Sequence, residues 1–304
     1  MNVAHTFSRI RLRVGVALVC AALAALPLKT RAEDGLAAFG SAIDELRRAN
    51  LISGQKMLVE RMAAKACFVV AGINADSYGE SMTEAHDRFL YIQSALREGN
   101  VVAGLLPETN TRVLTALDEV DTLFKPFDEV ALDVAAGNAD QARLGEMLAM
   151  TSSLFSSIDR LAGLVERVHA SESVPRSVRV QHTYAGLQRR LTQKMIKEGC
   201  MIATLGDTRS VQAELENSIE EFESRLVALR NGKILLGLPK AEDPRLVADL
   251  DEVERLWQEI EPVLAEAVAG TAPSADDLEL LVIDSTPMME FANDAVTAIE
   301  TASR

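Results

Sequence analysis

Residues 52–137 of this chain read against residues 185–270 at one constant offset of 133, with no gap. Gln55, Leu58, Met62 and Cys67 recur as Gln188, Leu191, Met195 and Cys200. Leu96-Arg97-Glu98-Gly99 recurs as Leu229-Arg230-Asn231-Gly232, and Leu117-Asp118-Glu119-Val120 as Leu250-Asp251-Glu252-Val253. Ala136-Gly137 returns as Ala269-Gly270. Self-similarity at a fixed period constrains a fold more than composition does, because each unit must fold in the same way. This period is too long for a solenoid unit and matches a small domain. The chain is therefore expected to hold two homologous domains, and any function must account for two copies in one chain.

Each copy reads as helical. Aromatic residues make up only 4% of the chain, and Ala, Leu, Val, Glu and Met are common, a mixture that favours helix. No sustained alternation of apolar and polar residues marks a strand. The first copy predicts helices at 36–73, 80–98, 110–135 and 141–169. Leu58, Met62, Ala66 and Val69 form an apolar stripe on the first, and Gly99 closes the second. Pro126 is a candidate kink in the third. The second copy predicts helices at 176–205, 209–230, 244–268 and 275–301, with Gly232 as the matching cap and Pro244 in a first helical turn. After Gly137 and Gly270 the register slips by about one residue, so the fourth helices match least well. The expected fold is all-α, two tandem up-down four-helix bundles over 33–170 and 176–304, joined by a linker at Ser171–Pro175.

Residues 1–32 have the layout of a secretory signal. Arg9, Arg11 and Arg13 precede an apolar run from Val14 to Leu26, and Thr30-Arg31-Ala32 suits cleavage after Ala32. The run is shorter than the roughly 20 residues a spanning helix needs; an uncleaved anchor is the alternative. The mature protein is expected to be periplasmic, with no membrane span. Cleavage removes five basic residues and no acidic one, so a formal charge of −14 becomes −19. Such a chain does not favour nucleic acid or an anionic membrane surface. An anion could bind only at a local basic patch working against the global field.

The most repeated polar pattern lies on the first helix of each copy. The first reads Ser53-Gly54-Gln55-Lys56-Met57-Leu58-Val59-Glu60-Arg61-Met62, and the second Gly186-Leu187-Gln188-Arg189-Arg190-Leu191-Thr192-Gln193-Lys194-Met195. These segments resemble the first helix of the periplasmic sensor domains of type IV pilus chemotaxis transducers and of nitrate/nitrite sensor kinases. The family pattern places a Gly three residues before an Arg and a second cation-hydrophobe pair further on. Gly186, Arg189, Lys194 and Met195 follow it, as do Ser53, Lys56, Met57, Arg61 and Met62, with Ser in place of Gly and Lys in place of Arg. The resemblance implies a small anion, such as nitrate or nitrite, held between first helices at a symmetry axis on the Arg three residues after the Gly. Here those positions are Arg189 and Lys56. On helical geometry, Gly186, Arg189, Gln193, Ile196 and Cys200 share one stripe, as do Ser53, Lys56, Glu60, Ala63 and Cys67. The expectation is that the two first helices pack side by side and that Lys56 and Arg189 meet across a pseudo-twofold axis, with Arg61, Arg190 and Lys194 nearby. The competing reading is ordinary ion pairing with this chain's many acids.

Cys67 and Cys200 are equivalent, on the same stripe, and are the two cysteines left after cleavage. Either they form a disulfide between the copies, as equivalent residues at a twofold axis can, or they are two buried apolar thiols. His86, His169 and His182 lack metal-ligand spacing, and Glu214–Glu223 lacks the Glu-x-x-His pairs of a carboxylate metal bundle. No nucleophile constellation or phosphate loop is evident, so neither an enzyme nor a cofactor is expected. The favoured reading is an exported tandem sensor-type module for a small anion, without a signalling output domain of its own. It would act through a membrane receptor, sensor or transporter component. The alternative is a structural or interaction protein of the envelope or pilus system with no small ligand.

Overall fold

The computed structural model describes residues 31–205 and 208–302, which form eight α-helices. These are α1 (Arg31–Val70), α2 (Ala75–Glu98), α3 (Thr111–Ala135), α4 (Gln141–His169), α5 (Arg176–Thr204), α6 (Arg209–Asn231), α7 (Pro244–Val268) and α8 (Ala275–Ala302). The described residues contain no strand, only two isolated bridges, Asn100 to Leu105 and Lys233 to Leu238. The proposed export segment lies outside the described residues, save that Arg31 and Ala32 begin α1. Among the described residues no helix is long and apolar enough to cross a membrane.

Helix boundaries follow local chemistry. Asn110 caps α3 by accepting from the backbone N–H groups of Arg112 and Val113, and Asp243 caps α7 through Arg245 and Leu246. Asp140 caps α4 through Arg143. At α8, Ser274 and Asp277 bond reciprocally, side chain to backbone N–H in each direction. Gly99 and Gly232 end α2 and α6 at φ +76° and +77°, where other residues are strained. A Cβ there would also stand 2.6 Å from the Pro107 nitrogen and 2.7 Å from that of Lys240, so the following loop folds tightly over each glycine. Helix α3 continues as α-helix through Pro126.

Helix α2 begins at Ala75, five residues before the expected start. Gly79 looks like a breaker in sequence, yet it lies inside the helix because α2 presses there on the end of α3. A Cβ on Gly79 would sit 2.7 Å from the Ala135 carbonyl oxygen.

Helix α1 packs on α2 and α4, and α2 and α4 each pack on α3; α5 to α8 repeat the arrangement. Matching details recur at the sequence offset. Phe89 stacks on Phe124 at 3.7 Å between ring centroids, and their counterparts Phe222 and Trp257 meet at 4.7 Å. The two bundles nevertheless do not have separate interiors. One continuous apolar cluster runs from Ile52 to Ile299 through both, joined where α1 lies along α5.

Two substitutions check this packing by chemical denaturation. Gly79→Ala should lower stability by about 1–3 kcal/mol despite the better helix propensity of Ala, because its methyl meets backbone. Gly145→Ala, exposed inside α4 with open space around its Cα, should raise stability by about 0.5–1 kcal/mol.

Candidate anion site beside the α1–α5 seam

Helices α1 and α5 run parallel, with equivalent residues facing each other at both ends of their contact. A Cβ on Gly186 would lie 2.7 Å from Ser53 Oγ, so glycine permits the close approach. Fourteen residues on, Cys67 and Cys200 are joined by a disulfide with their Cα atoms 6.1 Å apart. Midway stands Glu60, fully buried on α1. Lys197 Nζ on α5 approaches one carboxylate oxygen to 2.7 Å and Arg190 Nε the other to 3.7 Å. A buried carboxylate without such cations would be strongly unfavourable. The seam is thus a line of residues seven apart: Ser53, Glu60 and Cys67 against Gly186, Gln193 and Cys200.

Lys56 and Arg189 are not on that line, and the structure does not bring them together. Three residues advance a helix by about 300°, which swings each side chain to a flank of the seam. Because a twofold relation exchanges the flanks, the two cations point to opposite sides. Lys56 lines a cleft between α1, α4 and α5; Arg189 lines a different one, between α1, α2 and α8.

The two flanks differ in charge. Lys56 Nζ meets Asp159 Oδ1 on α4 at 2.5 Å. Its cleft, of about 450 Å³, balances Lys56, Arg179 and His182 against Glu45, Asp159 and Glu166. On the other flank, Arg189 Nη1 donates to Asn293 Oδ1 on α8 at 2.9 Å, whereas Nε and Nη2 have no hydrogen-bond partner. The residue is only 5% exposed. Burial pulls its guanidinium down from its usual range to about 10, opposed by the charge of Glu300. The cleft, of about 530 Å³, carries Arg47, Arg61, Arg88 and Arg189 against a single carboxylate, Glu84. Asn50, Tyr91 and Asn293 add polar groups, and Leu51, Met57, Leu58 and Ile92 an apolar wall. This is a local basic patch in an acidic chain, with an under-bonded guanidinium at its edge. Such a group suits a small planar anion, which can take two N–H bonds at once.

The other residues expected near the axis are dispersed. Arg61 joins the Arg189 cleft and donates to Ser81 Oγ at 3.0 Å. Ser53 lines the Lys56 cleft. Arg190 turns to Glu60 and lies over the Phe155 ring at 5.2 Å. Lys194 pairs with Glu198 at 2.6 Å and donates to Ser218 Oγ at 2.6 Å. Burial raises the Glu198 carboxyl above its usual range although Lys194 and Lys197 pull it down.

Sequence reasoning missed Arg47, Asn50, Arg88 and Asn293. Arg47 forms an ion pair with Glu300 at 3.1 Å, and Asn50 donates to the same carboxylate at 2.8 Å. Burial alone would raise Glu300, but His182, Arg47 and Asn50 outweigh it and hold the carboxyl below its usual value. Asn293 was findable. The one-residue slip of the fourth helices places it opposite Asp159 of the first copy, and those two residues contact the equivalent cations Arg189 and Lys56.

Lys65 is a second buried cation, 8% exposed, without a carboxylate in ion-pair range among the described residues. Its ammonium sits 4.5 Å from the Tyr78 ring centroid and 5.6 Å from that of Phe68. Burial, aided by Arg61, lowers it from 10.5 to about 8.

Residues 184–281 match the family described as type IV pili methyl-accepting chemotaxis transducer N-terminal domain, PilJ. That stretch, from α5 into α8, is similar to a PilJ-type sensor domain, whose family is one of chemotaxis transducers rather than of enzymes. It includes Gly186, Arg189 and Lys194 and ends before Asn293. No curated protein matches the chain.

Two stability measurements follow. Arg189→Met removes a buried, under-bonded charge and should raise the melting temperature of the ligand-free protein, by about 1–3 kcal/mol in unfolding free energy. For Lys65, the unfolded chain holds its proton up to about pH 10.5 while the folded chain releases it near pH 8. Unfolding therefore takes up a proton between those values, and stability contributed by this group rises with pH across the window. Lys65→Met lacks that rise, so any advantage it has over wild type at pH 7 should shrink between pH 8 and pH 10.

Proposed function

We propose that this chain is an exported sensor-type module that recognises a small anion on Arg189, in the cleft between α1, α2 and α8. The observation that carries the reading is the Arg189 guanidinium, 5% exposed with two of its nitrogens unbonded. It lies in a cleft of four guanidinium groups and one carboxylate. A buried cation left in this state is costly; an anion entering the cleft supplies the missing charge beside it. The similarity of residues 184–281 to a PilJ-type domain supports a sensory role, and nitrate or nitrite is the expected kind of ligand. The output passes to a partner, a membrane receptor, sensor or transporter component.

A second reading, a docking protein without a ligand, draws on a different feature. Val101, Val102, Ile234 and Leu235 are each more than nine-tenths exposed, at equivalent loop tips after α2 and α6. Because α1 and α5 are parallel, both tips lie at one end of the molecule, and an apolar recess on a partner could receive them.

Thermal unfolding with nitrate, nitrite or acetate separates the readings. A bound anion at 100 times its Kd should stabilise the protein by about 2.7 kcal/mol, and Arg189→Gln should abolish the shift. No shift with any of the three, together with a stable envelope complex formed without anion, would favour docking alone.

A further inference from the structure

The two halves present the same cation position to two different neighbours. Lys56 and Arg189 are equivalent at the repeat offset, and each reaches across to the fourth helix of its own bundle. There it meets Asp159 in the first half and Asn293 in the second. The slip of one residue makes Asp159 and Asn293 equivalent as well: α4 starts at Gln141 and α8 at Ala275, one more than the repeat offset apart. A carboxylate is itself a planar anion with two acceptor oxygens. Held 2.5 Å from the Lys56 ammonium, Asp159 stands where a soluble anion would stand. Asn293 offers a single carbonyl oxygen and no charge, which leaves Arg189 Nε and Nη2 free of hydrogen bonds.

The surroundings repeat the contrast. The cleft around Lys56 pairs three basic side chains with three acids, whereas the cleft around Arg189 sets four guanidinium groups against Glu84. Arg88, which lines the Arg189 cleft from α2, has Glu221 as its counterpart on α6.

Resting on the anion-site reading above, we infer that Asp159 is a built-in counter-ion that silences the first half. One chain then binds one anion, on Arg189, and the identity of residues 159 and 293 sets which half is competent. Asp159 is a rim residue, its side chain 60% exposed, so it can be exchanged without opening the core.

Calorimetric titration of the full chain with nitrate and, separately, acetate tests this. Wild type should bind one anion per chain. Asn293→Asp supplies Arg189 with its own carboxylate and should weaken binding by about tenfold or more, with ligand-free melting unchanged or higher. Asp159→Asn frees Lys56 and should add a second, weaker site, lost again in Asp159→Asn/Lys56→Met. Two sites in wild type, or Asn293→Asp binding as tightly as wild type, would overturn the inference while leaving an anion site standing. An Asp159→Asn protein that still binds only one anion overturns the role of Asp159. No binding to wild type by either anion removes the underlying reading and this inference together.

Discussion

The close parallel contact of α1 with α5 is the constraint from which the rest of the architecture follows. Helices meeting along residues seven apart drift by only about 20° per repeat, so Ser53, Glu60 and Cys67 stay on the contact line over two full repeats. Each has a distinct part in holding it. Gly186 lets the backbones approach beside Ser53, Glu60 draws Lys197 and Arg190 across the middle, and the disulfide ties the far end. With the seam set, α2 and α4 have only the outer faces of α1 to cover, and α6 and α8 those of α5. The continuous apolar cluster is the result: two repeated units sharing one interior.

The same seam decides where chemistry can occur. On the contact line side chains are buried and engage one another, as Glu60 does with Lys197 at 2.7 Å. A side chain about 60° round the helix from that line reaches the flank, where a neighbouring bundle helix and solvent bound a cleft. Arg189 is at that boundary. It is nearly buried, bonded to Asn293 on α8, and lines a space whose other walls carry Arg47, Arg61 and Arg88. The chain as a whole is strongly acidic, so this patch gains little from long-range steering and works at contact distance, where screening by salt is weak.

The fold was largely legible in sequence because helix ends depend on local chemistry. Asn110, Asp243, Gly99 and Gly232 mark boundaries that need no knowledge of tertiary structure. The start of α2 was not legible, because Gly79 answers to the Ala135 carbonyl 56 residues away in sequence rather than to its own neighbours. At the seam, reading by helical face found the pairs on the contact line, Ser53 with Gly186 and Cys67 with Cys200. It failed for Lys56 and Arg189 because a stripe wide enough to hold five residues also includes its edges, and edge residues related by a twofold leave on opposite sides. Nothing in the sequence marks the exposed loop tips: Val101-Val102 and Ile234-Leu235 are apolar, yet they stand in solvent between the residues of the Asn100–Leu105 and Lys233–Leu238 bridges.

A repeat directs the eye to positions where the copies agree, and here those positions mostly serve the scaffold. Gln55 and Gln188, Met62 and Met195, Leu117 and Leu250 are all in the interior. The residues that give the Arg189 cleft its character are ones where the copies disagree: Arg47 against Val180, Arg88 against Glu221, Asn293 against Asp159. In a dimer of identical chains each such change would alter both flanks of the seam at once. In a fused pair the flanks are encoded separately, so one can keep an under-bonded cation while the other is neutralised and contributes packing alone. Keeping only one such cation on the two flanks of the seam spares the fold the cost of a further buried, uncompensated charge in addition to Lys65, while the shared seam supports the guanidinium that remains.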